Sequence, residues 1–187
     1  MIKAYFDNVI ESGRVRSDLN PPSEMAAVNA LLKARDEGKL EIWTSQETHR
    51  EQDRTSDPTV RALLANSRGE TPVVQNDHKL LGIHNQMNHL GTVANCPIIT
   101  EIVDEKLFNA LIAAGLKQAD ARHLMYAACN GCDRFVTLDL EHFINNGRRS
   151  QLEGLCQGQC PGLKIVRPSE LAAELSLDAG DQQPASA

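Results

Sequence analysis

The sequence predicts an α/β fold of three layers, α/β/α, built around a mostly parallel central sheet. Three observations predict it. Short apolar runs at 2–6, 40–44, 134–138 and 163–166 alternate with segments of helical apolar spacing, which implies parallel strands joined by crossovers. Acidic residues, Asp7 and Asp139, stand just past two of these runs, where open α/β sheets build their sites. Residues that start and stop helices bracket the segments between the runs.

In chain order, Ile2 to Phe6 is a short buried strand that ends at Asp7. Residues 11–22 are polar and close in Asn20-Pro21-Pro22, so a loop is expected. Ser23 can cap the next helix, with Ala26, Leu31 and Leu32 inward and Gly38 as its stop. Leu40 to Thr44 is a second strand, after which Ser45 caps a helix through Glu51. Residues 53–100 are the least legible. An apolar helical stretch at Val60 to Leu64 and a polar turn near Ser67-Arg68-Gly69 precede a segment crowded with His and Asn, and helices and loops are expected throughout. Asp104 to Gly115 and Gln118 to Asn130 are helical by their apolar spacing. Arg134 to Leu138 and Leu163 to Val166 are strands, and Pro168-Ser169 begins a last helix through Leu175. One domain therefore covers 1–175, and the small polar tail 176–187 is expected to be disordered.

At 187 residues the chain is long enough for one real core. Its formal charge of −6 argues against broad electrostatic capture of nucleic acid. A metal-filled acidic site with a local basic rim is compatible with that charge. No apolar run approaches the ~20 residues of a membrane span, and MIKAYFDNVI does not read as a signal peptide. No membrane partner is expected. Five cysteines, an odd number, suggest a reducing cytosol and a cytoplasmic protein.

Acids carry the chemistry. Asp7 and Asp139 end strand runs, and neighbouring strand ends lie roughly 5 Å apart in a parallel sheet, close enough to share a cation. Glu47 and Glu51 are one helical turn apart on one face. Asp120 lies at a helix start, where the dipole favours a carboxylate. Singly, each acid reads more readily as a cap, a loop residue or a solvated helix face. Together, four carboxylates from four elements suit Mg²⁺ or Mn²⁺. Arg14, Arg16, Arg50 and the pair Arg148-Arg149 are candidates to guide phosphate, with plain surface solubility an equal reading. Cys129-x-x-Cys132 and Cys156-x-x-x-Cys160 have the spacing of a four-thiolate zinc site. The weightier reading makes Cys129 a packed helix end, Cys132 a turn residue, Cys156 and Cys160 surface-loop thiols and Cys96 a small buried residue. His78, His84 and His89 read as polar loop residues. His49, His123 and His142 read as helix-surface groups, or as groups that orient the acids beside them.

These motifs resemble the PIN-domain family, metal-dependent ribonucleases that include the toxin halves of many bacterial toxin–antitoxin pairs. Tyr5-Phe6-Asp7-Asn8 stands where the family has a strand ending in Asp, with Asn8 directly in the place of the usual Thr. Thr44-Ser45 with Glu51 six residues after the serine matches its second motif. Asp120-Ala121, running to Gly131-Cys132-Asp133, matches the third, and Phe135-Val136-Thr137-Leu138-Asp139 the fourth. The ending Ile165-Val166-Arg167-Pro168-Ser169-Glu170-Leu171 is similar to the family's last strand and helix. The resemblance implies that Asp7, Glu51, Asp120 and Asp139 bind one or two Mg²⁺ or Mn²⁺ ions that activate water for attack on an RNA phosphodiester. Glu47 is the alternative second acid. Thr137 would orient a carboxylate, and Asn8, Arg14 and Arg50 would meet the substrate. An antitoxin protein is an implied partner, and apolar residues of the 23–37 and 59–65 helices offer it, or a homodimer, a surface that core packing also explains. The alternative is a catalytically weakened PIN-like module that binds RNA or protein. A metal-dependent phosphatase or a nuclease acting on DNA is a further rival.

Overall fold

The computed structural model describes residues 1–87, 93–145 and 147–177, with side chains omitted at 85–95. The expectations for His89 and for the tail from residue 178 lie outside the described residues.

Four strands form one parallel sheet: β1 (Ile2–Phe6), β2 (Leu40–Trp43), β5 (Arg134–Val136) and β6 (Lys164–Val166), in the order β2-β1-β5-β6. Alternation along the strands divides the core into two layers. Ala4, Phe6, Leu40, Ile42, Val136 and Val166 face α1 (Asn8–Arg16), α2 (Pro22–Asp36) and α8 (Pro168–Glu174). Tyr5, Phe135 and Ile165 face α5 (Glu105–Ala113), α6 (Gln118–Cys129) and α7 (Arg148–Cys156). This is the expected three-layer α/β/α arrangement. On the second face the rings of Tyr5 and Phe135 stack 5.6 Å apart, and Phe143 follows at 4.9 Å. With so few aromatics, this one column supplies much of the bulk beneath the site.

The remaining helices, α3 (Gln46–Asp53) and α4 (Pro58–Asn66), leave the end of β2. Between α4 and α5 lies an antiparallel hairpin, β3 (Lys79–Met87) and β4 (Val93–Thr100). The expectation of helices and loops over 53–100 holds for α4 and is corrected here. A bulge between Leu80 and Gly82 breaks the strict alternation that marks a strand. Among the described residues none of the hairpin belongs to either core layer, so their burial leaves no period to read.

Two more segments differ from expectation. Residues 8–16, expected within a polar loop from 11, are helical. The Asp7 carboxylate caps this helix by accepting the Asn8 N–H at 2.7 Å. Its inner face is itself polar, since Glu11, Ser12 and Gly13 are buried beside Ile10, and that hides the helical period. Ser17 at φ 57° ends the helix in a left-handed turn. Likewise α7 turns Glu153 inward, where it accepts the Ile165 N–H at 2.9 Å. Cys156 is thus buried at a helix end rather than in a surface loop.

Gly13 lets α1 meet the following turn closely. A Cβ there would come within 2.2 Å of Leu19 Cδ2 and 2.9 Å of its Cγ. Alanine gains about 1 kcal/mol of helix propensity over glycine, but overpacking against buried Leu19 costs about 1–3 kcal/mol. Gly13→Ala is expected to lower stability by about 1 kcal/mol in urea titration, the reverse of its effect on an isolated helix.

Candidate metal centre

The sheet order places β1 at the point where the chain reverses direction. From β1 the chain crosses to β2 on the α2 face, then returns past β1 to β5 on the α6 face. The crevice at such a reversal, beyond the carboxyl ends of the strands, is where open α/β sheets bind ligands. Asp7 follows β1 and Thr137 to Asp139 follow β5. The two ends are tied together, as the Asp7 N–H donates to the Val136 carbonyl at 3.1 Å.

Thr137, fully buried, bridges the two strand-end acids. Its hydroxyl donates to Asp7 Oδ2 at 2.8 Å and accepts the Asp139 N–H at 3.1 Å. Asp139 opens a π-helical turn, Leu140–Ile144, in which it accepts the His142 N–H and lies 2.7 Å from His142 Nδ1. Such turns recur at functional sites. Asp120, in the first turn of α6, completes a group: one ligand atom each of Asp120, Asp139 and His142 lie within 4.8 Å of one another. These three residues can hold a metal ion.

Glu51 reaches the same edge from α3. His123 Nε2 stands 2.9 Å from Glu51 Oε2 and 4.0 Å from Asp7 Oδ1. On the other side of its ring, Nδ1 is 2.7 Å from the Tyr5 hydroxyl, which donates to Ser45 Oγ at 2.6 Å. Burial alone would lower this imidazole's pKa, but the hydrogen bond to Glu51 and the charges of Asp7, Glu51 and Glu47 hold it above the usual range. Of the two readings offered for His123, the structure takes the second: it is 1% exposed and lies among the acids, orienting Glu51 rather than standing on the helix surface.

The two candidates for the second acid part company. Glu47, wholly buried, is held by Arg122 at 2.8 Å and Arg50 at 3.3 Å. Desolvation pushes its pKa up, yet these guanidinium groups outweigh that and keep it low. Glu51 meets no guanidinium among the described residues and faces His123.

The acids repel one another where cations are scarce. Burial, with Glu51 and Asp120 nearby, raises the Asp7 carboxyl from 3.8 to about 6 against the pull of His123 and Thr137. Asp120 is raised by burial and by Asp139 and Glu51, with His142 and His123 opposing. A divalent ion relieves repulsion of this kind, and hard carboxylate oxygens with one imidazole form a fitting donor set.

The arginines offered as phosphate guides are engaged by other groups. Arg14 is held by Glu11 at 3.1 Å and Glu70 at 2.7 Å, and Arg16 by Asp18 at 3.1 Å. Arg50, half-exposed, binds Glu101 at 2.6 Å besides Glu47. Arg148 donates to the carbonyls of His142 and Ala114, and Arg149 to Glu170. Among the described residues, eight of the twelve guanidinium groups lie within 4.0 Å of a carboxylate, while Arg54, Arg61, Arg148 and Arg167 do not. The Asn8 side chain accepts the Ser12 hydroxyl at 2.7 Å, so its contribution to Asp7 comes through the backbone.

All five cysteines are free thiols. Among the described residues no three of them bring their sulfurs within reach of one ion. Cys96, expected to be buried, is exposed on β4. No helix among the described residues is long and apolar enough to cross a membrane.

The sequence offers His123 and His142 as groups that orient acids, and each stands three residues after a proposed ligand, as Asp120-x-x-His123 and Asp139-x-x-His142. What it does not foresee is His142 as a ligand itself. Comparison with protein-family models, curated proteins and solved structures gives no match.

Proposed function

We propose that the chain is a Mg²⁺- or Mn²⁺-dependent ribonuclease of the PIN type. The observation that carries the reading is the convergence of Asp7, Glu51, Asp120 and Asp139, from four separate elements, at the carboxyl ends of β1 and β5. Asp120, Asp139 and His142 would hold an ion, with the carboxylates of Asp7 and Glu51 at the same edge as further ligands. Bound there, a divalent ion would supply Lewis acidity and a water acidic enough to ionise near neutral pH.

The chain's own groups do the positioning. Thr137 and the Asn8 N–H each hold one oxygen of Asp7, which fixes the carboxylate's orientation and leaves one lone pair free on each oxygen. His123, anchored through Tyr5 and Ser45, holds Glu51 against the crevice. Carboxylates ordered in this way can accept a proton from an attacking water and align it with a phosphodiester. By the same proposal the chain would be the toxin half of a toxin–antitoxin pair, acting on RNA in the cytoplasm.

The test is a Mn²⁺-dependent cleavage assay on a panel of RNAs, with Asp139→Asn as the partner variant. Wild type is expected to cut at least one RNA and lose that activity in EDTA. Asp139→Asn is expected to fall by on the order of a thousandfold, the effect of removing several kcal/mol of charge stabilisation. If wild type binds Mn²⁺ and RNA yet leaves every RNA as intact as the variant does, the catalytic reading fails and the binding-module alternative replaces it.

A further inference from the structure

Beyond the crevice, the most unusual surface is the β3–β4 hairpin. Five of its residues are large, apolar and open to water: Leu80, Leu81, Ile83, Ile98 and Ile99, at 47–62% exposure. None joins either core layer. A lone two-stranded ribbon is marginal in water, and a large exposed apolar patch marks a binding surface.

One face is well defined. Ile99 and Pro97 are two apart on β4, hence on one side of it. Their cross-strand partners, Leu80 and Ile83, share that side. Ile98 points to the opposite side. Pro97 has no N–H, so the free margin of β4 is a poor template for an added strand. Face-to-face packing is therefore the mode the ribbon suits.

The charge pattern selects the occupant. After Lys79 the arm runs to Thr100 without one Asp, Glu, Lys or Arg, in a chain whose net charge is −6. It offers a charged partner nothing to pair with. It also lets two acidic copies meet where like charges are absent. Strands of this length and two-strand width present about 300 Å² of projected face. Because accessible area exceeds projected area, two such faces together withdraw on the order of 1,000 Å² from water, near the threshold of a specific interface. Identical patches meeting about a two-fold axis are the simplest closed arrangement.

We propose that the β3–β4 hairpin is a self-association arm, its Leu80/Ile83/Pro97/Ile99 face packing against the same face of a second copy. This inference is independent of the proposed nuclease activity.

Sedimentation velocity of the full chain over a range of concentrations tests it. Wild type is expected at twice the 20.5 kDa chain mass at micromolar concentration. Leu80→Lys with Ile99→Lys places four charges in the symmetric contact and is expected to weaken dimerisation by on the order of a hundredfold or more. Its far-UV circular dichroism and Mn²⁺ binding should stay unchanged, because the arm lies outside the core. Ile98→Lys, on the opposite side, should leave the dimer intact. A wild type that is monomeric at every concentration overturns the proposal, whether another protein or a lipid vesicle then proves to bind the arm or not. A double-lysine variant that dimerises as tightly as wild type also overturns it, by placing the contact elsewhere.

Discussion

In EDTA at pH 7.5, Asp7→Asn unfolds at higher urea than wild type, by about 2–3 kcal/mol, while its metal-dependent cleavage falls by on the order of a thousandfold. The two effects have one cause. Burial and the neighbouring acids raise Asp7 from 3.8 to about 6. Between those values the folded protein holds a proton that the unfolded chain has released, so stability falls as pH rises through that window. Above pH 6 the full destabilisation is present. At about 1.4 kcal/mol per pH unit it amounts to about 3 kcal/mol. Asparagine removes the charge and keeps the shape. Its oxygen still accepts one of the two hydrogen bonds from Thr137 and Asn8, and Thr137 can turn to accept from the new amide, which recovers part of the second. The pH series makes the prediction specific. Wild type in EDTA should lose stability between about pH 4 and 6 on this group's account, and Asp7→Asn should lack that component. Saturating Mn²⁺ should reverse the ranking, because a ligand that binds only the folded state stabilises it, and wild type alone would bind strongly. If Asp7→Asn is less stable than wild type in EDTA, the carboxylate is not an unneutralised buried charge, and the case for a cation in the crevice weakens with it.

The acids were legible because their positions follow from elements the sequence displays. Asp7 and Asp139 end apolar runs that could only be strands, and Asp120 and Glu51 lie on helices with clear boundaries. The four strands of the parallel sheet were legible because each is a short, mainly apolar run, and in β1, β5 and β6 consecutive buried residues face both layers. Elements whose burial departs from a simple period were not. Helix α1 turns Glu11 and Ser12 inward, α7 turns Glu153 inward, and the β3–β4 arm buries little of its apolar surface in this chain. The choice between Glu47 and Glu51 also needed three dimensions. Both lie on one face of α3, and they differ only in what α6 sets opposite them: Arg122 for one, His123 for the other. For His123 the sequence left two readings open, surface or beside an acid, because a polar residue in an apolar helical run looks exposed until Glu51 is placed against it.

Arg122→Ala should destabilise the protein by about 3–5 kcal/mol at pH 7, the cost of leaving a buried charge without its partner. Glu47 has no exposed side-chain surface, and Arg122 Nη2 lies 2.8 Å from Oε1. The other cation on Glu47, Arg50, is half-exposed and at a longer 3.3 Å, so it cannot replace the lost ion pair. In wild type the folded-state pKa of Glu47 is lowered, so the pair's contribution is present at neutral pH and is lost as pH falls through the folded pKa. Without Arg122, desolvation dominates and raises that pKa above its ordinary 4.5. The variant should then gain relative stability as pH falls through that raised pKa, the opposite slope from wild type. Replacing both partners with methionine should recover most of the loss, because a buried pair exchanged for apolar volume is often neutral. A double-mutant cycle in urea at pH 5 and pH 7 measures all of this. The pair also spans α3 and α6, the helices that carry Glu51 and Asp120. If the distance between those helices sets the metal site, the methionine pair should fold stably yet bind Mn²⁺ less tightly than wild type. Equal Mn²⁺ affinity would show that Glu47 and Arg122 serve the fold alone, and that His123 suffices to hold Glu51 in place.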